Sequence, residues 1–390
     1  MFKKSVLLFL ISIQAAAIFA NDNKIKFIKG NISDKTLAVK EASGEEENWL
    51  CEQALDFVLT NKEILGNDRE LDGLAIATVL SFSNSYISNL TEKQKYIVMN
   101  KFQDLFVSFQ NSATVQSTLI NKIISLKKEL PYSDFVDILN SYISKKGINN
   151  IDNSLVKEIF HAYEEIGNNQ SFLILFEMLD NPLYKDYNQD IKNTLSALIP
   201  ASMNEIISII HNKNIDDIYS IFSLVQNNNK ISKNFICEIA ENVLNESIIL
   251  MQDSSKVSDK ILELQINSLN ILSENRWTRA SSNALTYFDF SKTLFGLDVM
   301  NEDQMVIVVQ SLAQIAPLNA VTPLSKYLEE LNAMKEQNLA VSTKVVLSVV
   351  NSLGAIGDKY AFDSLLATTY LSYPEAVLSA ARNALAGLRW

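Results

Sequence analysis

The sequence predicts an all-α fold, an α-α superhelix (solenoid) of antiparallel helix pairs that is irregular in its N-terminal half. Three observations carry this. Glycine (10) and proline (6) are scarce among the 390 residues, against average usage of roughly 12% for the two together, which favours long unbroken helices over a turn-rich β-sandwich. Apolar residues recur at helical period from Trp49 onward. One helix–turn–helix pattern also recurs near the end of the chain. It runs through Leu353-Gly354-Ala355-Ile356-Gly357-Asp358, with a looser copy at Leu312-Ala313-Gln314-Ile315-Ala316-Pro317, and Ile315 and Ile356 are 41 positions apart. Self-similarity at that period marks stacked helical repeats. Each pair in such a stack buries its apolar face only against the next.

Taken in order, the first element reads as an export signal over residues 1–20. Lys3 and Lys4 precede an apolar run from Val6 to Phe19, and Ala20 offers a small residue for cleavage. The run is shorter than the about 20 apolar residues a spanning helix needs. Residues 21–44 form a lead segment. The alternation Lys24-Ile25-Lys26-Phe27-Ile28-Lys29 suggests a short strand or an extended arm, and Ser33 to Gly44 a brief helix. Glu45-Glu46-Glu47 places negative charge where the dipole of the next helix favours it.

From 45 to 390 the pattern predicts a helical-repeat solenoid, irregular over 45–150 and more regular over 151–390. Expected helices span 46–65, 69–90, 92–109, 113–130, 133–146 and 152–166, with Gly66, Pro131 and Gly147 as breaks. Further helices are expected over 171–179, 189–198, 202–211, 216–225, 233–250, 258–273 and 277–295. The last are 302–315, 320–331, 340–356, 359–371 and 374–388. Val306-Ile307-Val308-Val309, which alone would suit a strand, sits within a longer helical stripe completed by Leu312 and Ile315. Short links between such helices force neighbours to run antiparallel. Trp390 is placed to cover the exposed apolar end of the last repeat.

The turn at the end of the chain is readable residue by residue. Leu353 and Ile356 share a helical face, and Gly354 and Ala355 are small enough for close helix approach. Gly357 suits the left-handed position that closes a helix, and Asp358 can accept backbone N–H groups to start the next. Gly167 and Asn168 are expected to do the same after Ile166.

These residues resemble the HEAT family, in particular the HEAT-like repeats first described in phycobilisome lyases, whose typical run is Ala-Leu-Gly-x-Ile-Gly-Asp…Ala…Leu. The resemblance is clearest at 305–388, recurs at 155–180 and covers about a third of the chain. It implies a right-handed α-solenoid used as a protein-binding scaffold. It carries over no lyase activity, because many non-enzymes share the repeat.

Charge narrows the partners. With 34 basic and 45 acidic side chains the formal net charge is −11, the opposite of the basic surface that nucleic-acid binding requires, and loss of Lys3 and Lys4 would make it more negative. Cys51 and Cys237 each lie in an apolar helical context and read as free buried thiols, with a disulfide between them as the alternative in an oxidising compartment. Glu158 and His161 have the spacing of half a di-iron ligand set, but a second pair is missing, since His211 has Ser208 three positions before it. No nucleophile elbow, phosphate loop or Cys-x-x-Cys pair occurs, so neither cofactor nor metal is expected. Arg276-Trp277-Thr278-Arg279 is the one aromatic–basic cluster. It reads either as a partner contact through Arg276, Trp277 and Arg279, or as a tryptophan packed beneath a loop with its arginines reaching to solvent.

The reading is therefore a non-catalytic protein-binding scaffold of the bacterial cell envelope, exported, periplasmic, and not inserted in a membrane once the signal is removed. The alternatives are a surface or secreted interaction protein, and a hydrolase of envelope polymers with an unrecognised carboxylate site.

Overall fold

A computed structural model describes residues 22–212, 214–253 and 258–389. The signal segment at 1–20 and the end cap assigned to Trp390 lie outside the described residues. Among those described, the regular structure is helical, and the only β feature is an isolated bridge between Asp358 and Arg389. No described helix is long and apolar enough to cross a membrane. The chain divides into two compact units, Met1–Leu198 and Ile199–Trp390.

The first unit contains α1 (22–29), α2 (Ile32–Glu41), α3 (Glu45–Leu65), α4 (Arg69–Ser81), α5 (Asn84–Ser88) and α6 (Glu92–Ser108). It continues with α7 (Ala113–Ser125), α8 (Ser133–Lys146), α9 (Asn153–Ile166), α10 (Asn169–Met178) and α11 (Asn188–Leu198). Contacts alternate along it. α2, α4, α7, α9 and α11 pack in succession, and each of α4, α7, α9 and α11 also packs on the helix of the other series just before it: α3, α6, α8 and α10. Aromatic residues fill the layer between. Phe82 meets Phe102 edge-on at 5.0 Å and Phe106 meets Phe135 at 5.4 Å, with all four rings buried. Each such ring contributes about 1.5–3 kcal/mol of burial.

The lead segment is helical where alternation suggested an extended arm: 22–29 form α1 and 32–41 form α2. Asn31, not Ser33, caps α2 in a capping box with Asp34, and Gly44, with φ 65°, precedes α3 instead of ending α2. Lys35 explains the order. Its ammonium donates to the carbonyls of Phe27 and Ile28, at the C-terminal end of α1, where a cation is favoured. It also lies 5.1 and 5.0 Å from the ring centres of Phe27 and Phe57. Burial holds its pKa below the ordinary lysine value.

The continuous helix expected over 69–90 is broken. Phe82 turns out of helical geometry (φ −70°, ψ 98°) to bury its ring against Phe102, and Ser83 then caps α5. Similarly, α7 stops at Ser125 and 126–130 turn back, burying Leu126 and Leu130.

The second unit contains α12 (Met203–Asn212), α13 (Ile215–Gln226), α14 (Lys233–Asp253), α15 (Asp259–Glu274) and α16 (Ser281–Gly296). After these come α17 (Glu302–Ile315), α18 (Val321–Glu336), α19 (Thr343–Ile356), α20 (Phe362–Thr369) and α21 (Glu375–Ala386). The alternation is regular. α13, α15, α17, α19 and α21 pack one on the next. Opposite them α12 packs on α14, α14 on α16, and α18 on α20, while the Phe288 and Tyr327 rings join α16 to α18 at 5.6 Å.

Polar ties run between successive helices of one series. His211 of α12 lies 3.0 Å from both Glu246 and Asn242 of α14. Asp216 and Tyr219 of α13 bond to Lys260 and Glu263 of α15, and Lys344 of α19 pairs with Asp303 of α17 at 3.1 Å. These partners stand 31 to 44 positions apart.

Candidate functional site

The aromatic–basic cluster sits on a helix end closed in an unusual way. After α15, Arg276 adopts φ 50°. Its N–H donates to Ser273 O, and the N–H of Trp277 donates to Leu272 O at 2.9 Å, the paired bonds of a Schellman closure. Glycine normally occupies that left-handed position, and here an arginine does. The same closure follows α16 at Asp298 (φ 57°, with Val299 N–H to Leu294 O) and α18 at Asn338 (φ 57°, with Leu339 N–H to Met334 O).

The closure turns Trp277 toward α14. The half-buried indole donates through Nε1 to Glu241 Oε2 at 2.7 Å. The Arg279 Nε donates to the same oxygen at 2.7 Å, and its second nitrogen pairs with Glu238 at 2.6 Å. The guanidinium lies 5.1 Å from the indole centre, and its hydrogen bonds to Glu241 and Glu238 raise its pKa. Trp277 and Arg279 thus spend their polar groups on α14, whereas the exposed Arg276 side chain borders the groove described below.

The two sequence-predicted turns differ. Gly357 takes the left-handed conformation (φ 72°, ψ 26°), and Asp358 accepts from the Tyr360 N–H at 2.8 Å. Gly167 does not: its φ is −61° and ψ 158°. Space, not handedness, requires glycine there, because a Cβ would stand 2.4 Å from the backbone oxygen of Tyr163 and 3.0 Å from Leu198 Cδ2. Asn168 begins α10 in a capping box with Ser171. It also reaches α8, accepting from Asn140 Nδ2 at 3.1 Å and donating to Asp137 Oδ1 at 3.0 Å.

A groove crosses α15, α17 and α19, with a volume of about 510 Å3. Asn270 and Ser273 come from α15, Gln310, Ser311 and Gln314 from α17, and Asn351 and Ser352 from α19. Ala313 and Ala355 keep the floor low. Glu274 and Arg276 are its only charged lining residues. It adjoins a second hollow of about 450 Å3 between α19 and α21, shared through Asn351 and lined also by Gly354, Ser379 and Asn383. Gly354 is required by proximity, since a Cβ there would lie 2.9 Å from that of Ala384. Gln310, Gln314 and Asn351 are exposed, and their amides make no hydrogen bond to other described residues. Sequence reading missed this groove. Its signal was the 41-residue register, which aligns Gln310 with Asn351 and Ser311 with Ser352.

In the first unit, α6 and α8 border an apolar hollow of about 720 Å3 formed by Phe106, Val107, Ile138 and Tyr142, with Lys145 and Lys146 at its edge. Lys146 donates to the Tyr142 hydroxyl at 3.1 Å.

The remaining reactive groups stand apart from these surfaces. Cys51 and Cys237 are free and buried. Burial pushes the Cys51 thiol up to about 12, and raises that of Cys237. His161 is exposed on α9. Among the described residues no three His, Cys, Asp or Glu side chains gather in a way that could hold a metal ion.

Comparison with protein-family models, with curated proteins and with solved structures gives no match.

Proposed function

We propose that this chain is a non-catalytic protein-binding scaffold, a HEAT-like α-solenoid exported to the bacterial cell envelope and acting in the periplasm. The observation that carries the reading is the groove over α15, α17 and α19. Helices of one series stack in register and present an open, largely uncharged surface across three of them. Stacked helix pairs build such extended surfaces by repetition and use them to hold partners. Depletion of charge is the compositional mark of an interface centre, whereas a merely solvated helix face carries Lys and Glu. The net charge of −11 disfavours nucleic acid as the partner, and the signal-like N-terminus supports export.

The test is photocrosslinking in the native cells, with a photoreactive residue at Gln310 and a control at the exposed His161. A discrete protein adduct specific to Gln310 is expected, with the chain released when the outer envelope is opened. Absence of any protein adduct would overturn the scaffold reading. Cleavage of the chain by protease added to intact cells would move it to the surface.

A further inference from the structure

We infer that the groove over α15, α17 and α19 receives an uncharged polypeptide segment in the extended, three-residue-per-turn polyproline II conformation, held mainly by its main chain. The inference rests on the protein-binding reading and specifies its surface and ligand.

Chemistry comes first. A side-chain amide carries donors and an acceptor on one planar group, the same complement as a peptide bond. Gln310, Gln314 and Asn351 present such groups, exposed and unpaired among the described residues. A ligand with only acceptors, such as a phosphate chain, would leave their carbonyls unmet, and the groove holds only Arg276 as a cation, beside Glu274. A glycan would find hydrogen bonds but no ring to stack on, because no aromatic residue lines the groove. Ala313, Ala355 and the buried Ser311 and Ser352 let a backbone approach closely.

Geometry selects the conformation. Gln310 and Asn351 occupy equivalent places on α17 and α19, one helix spacing apart. Packed helices stand about 8–10 Å apart. A polyproline II segment advances about 3.1 Å per residue and returns the same side every third residue, about 9.3 Å on. A peptide crossing the helices in this form therefore turns the same face to each amide in succession. A β-strand, with its period of two, would present opposite faces to the two.

The experiment uses the full mature chain and a cellulose-bound array of random 12-residue peptides, followed by single N-methylated analogues of any binder. Uncharged binders are expected, with N-methylation harmful at positions three apart and tolerated between them. Gln310→Ala and Asn351→Ala should each weaken binding about tenfold, the loss of one hydrogen bond. Melting temperature should stay unchanged, since alanine suits a helix surface. Gln310→Glu and Asn351→Asp, which keep size and remove donors, should weaken binding as well. The inference is overturned by an empty array, by binders that need charge, by sensitivity at every second position, or by binding that ignores these substitutions. A crosslinked partner at Gln310 together with an empty array would sink this inference alone, whereas no crosslinked partner at all would remove the scaffold reading beneath it.

Discussion

Trp277 and Glu241, 36 positions apart, are joined by a 2.7 Å hydrogen bond from the indole N–H to a carboxylate oxygen that also accepts from Arg279. The bond ties the entry of α16 to α14. Trp277→Ala removes a half-buried ring and a charge-assisted bond, and should lower unfolding free energy by about 2 kcal/mol. Trp277→Phe keeps most of the ring and should cost about 1 kcal/mol. Urea denaturation measures both. A Trp277→Ala variant with unchanged stability but weaker partner binding would assign the indole to the partner instead.

The glycines at the two turns should answer substitution differently. Gly357 needs a positive φ, which asparagine tolerates far better than alanine. Gly357→Asn should therefore cost less than Gly357→Ala, itself about 1 kcal/mol. Gly167 needs space beside the Tyr163 carbonyl and Leu198, so asparagine and alanine should both destabilise it, by about 1–3 kcal/mol. Thermal unfolding of the four variants gives the comparison, and a milder effect of Asn than of Ala at Gly167 would contradict the steric account.

Asn332 is buried and donates to Ser364 O and Thr368 Oγ1, each at 3.1 Å, while Thr368 donates back at 3.3 Å. Asn332→Ala should cost about 1–3 kcal/mol, because it strands polar groups between α18 and α20. A double-mutant cycle with Thr368→Val should show coupling of about 1 kcal/mol. Additive effects would mean the two side chains do not share one network.

Cys51 should govern part of the alkaline limit. Its thiol is raised from 9.0 to about 12 by burial. A group with a raised folded pKa contributes stability that is fully present below its unfolded value and is lost as pH rises through the folded one. Stability should thus fall from pH 9 toward pH 12. Tyr327 and Tyr373, raised from 10.0 to about 12 by burial, add to the slope, so the measurement compares wild type with Cys51→Ala. The variant should show the shallower decline. The native thiol should also resist aromatic disulfide reagents at neutral pH, and rapid labelling would contradict its burial.

Much of the architecture was legible because helix periodicity and capping act locally. Glu302–Ile315 and Ser133–Lys146 have the bounds their patterns predict, and Gly357-Asp358 forms the turn its residues imply. Reading failed where a distant contact overrode local preference. Phe82 breaks a helical pattern to reach Phe102, and Lys35 turns an apparent strand into a helix by capping it. The closures at Arg276, Asp298 and Asn338 carry no glycine, so the strongest local signal for a left-handed residue is missing; Asn and Asp tolerate that region, and the arginine gives no sign of it. The groove was hidden for another reason: Asn and Gln at single positions look like ordinary surface until the stacking of α17 on α19 brings them into line.

The ties made by His211, Asp216, Tyr219 and Lys344 in the second unit each reach the next helix of the same series, 31 to 44 positions away. Low sequence separation of contacts permits rapid folding, because little loop entropy is lost before each contact forms. It also limits how far damage spreads. A terminal pair can fray while its inner neighbours hold, so protection of amides from exchange should decline in steps toward the ends of the stack.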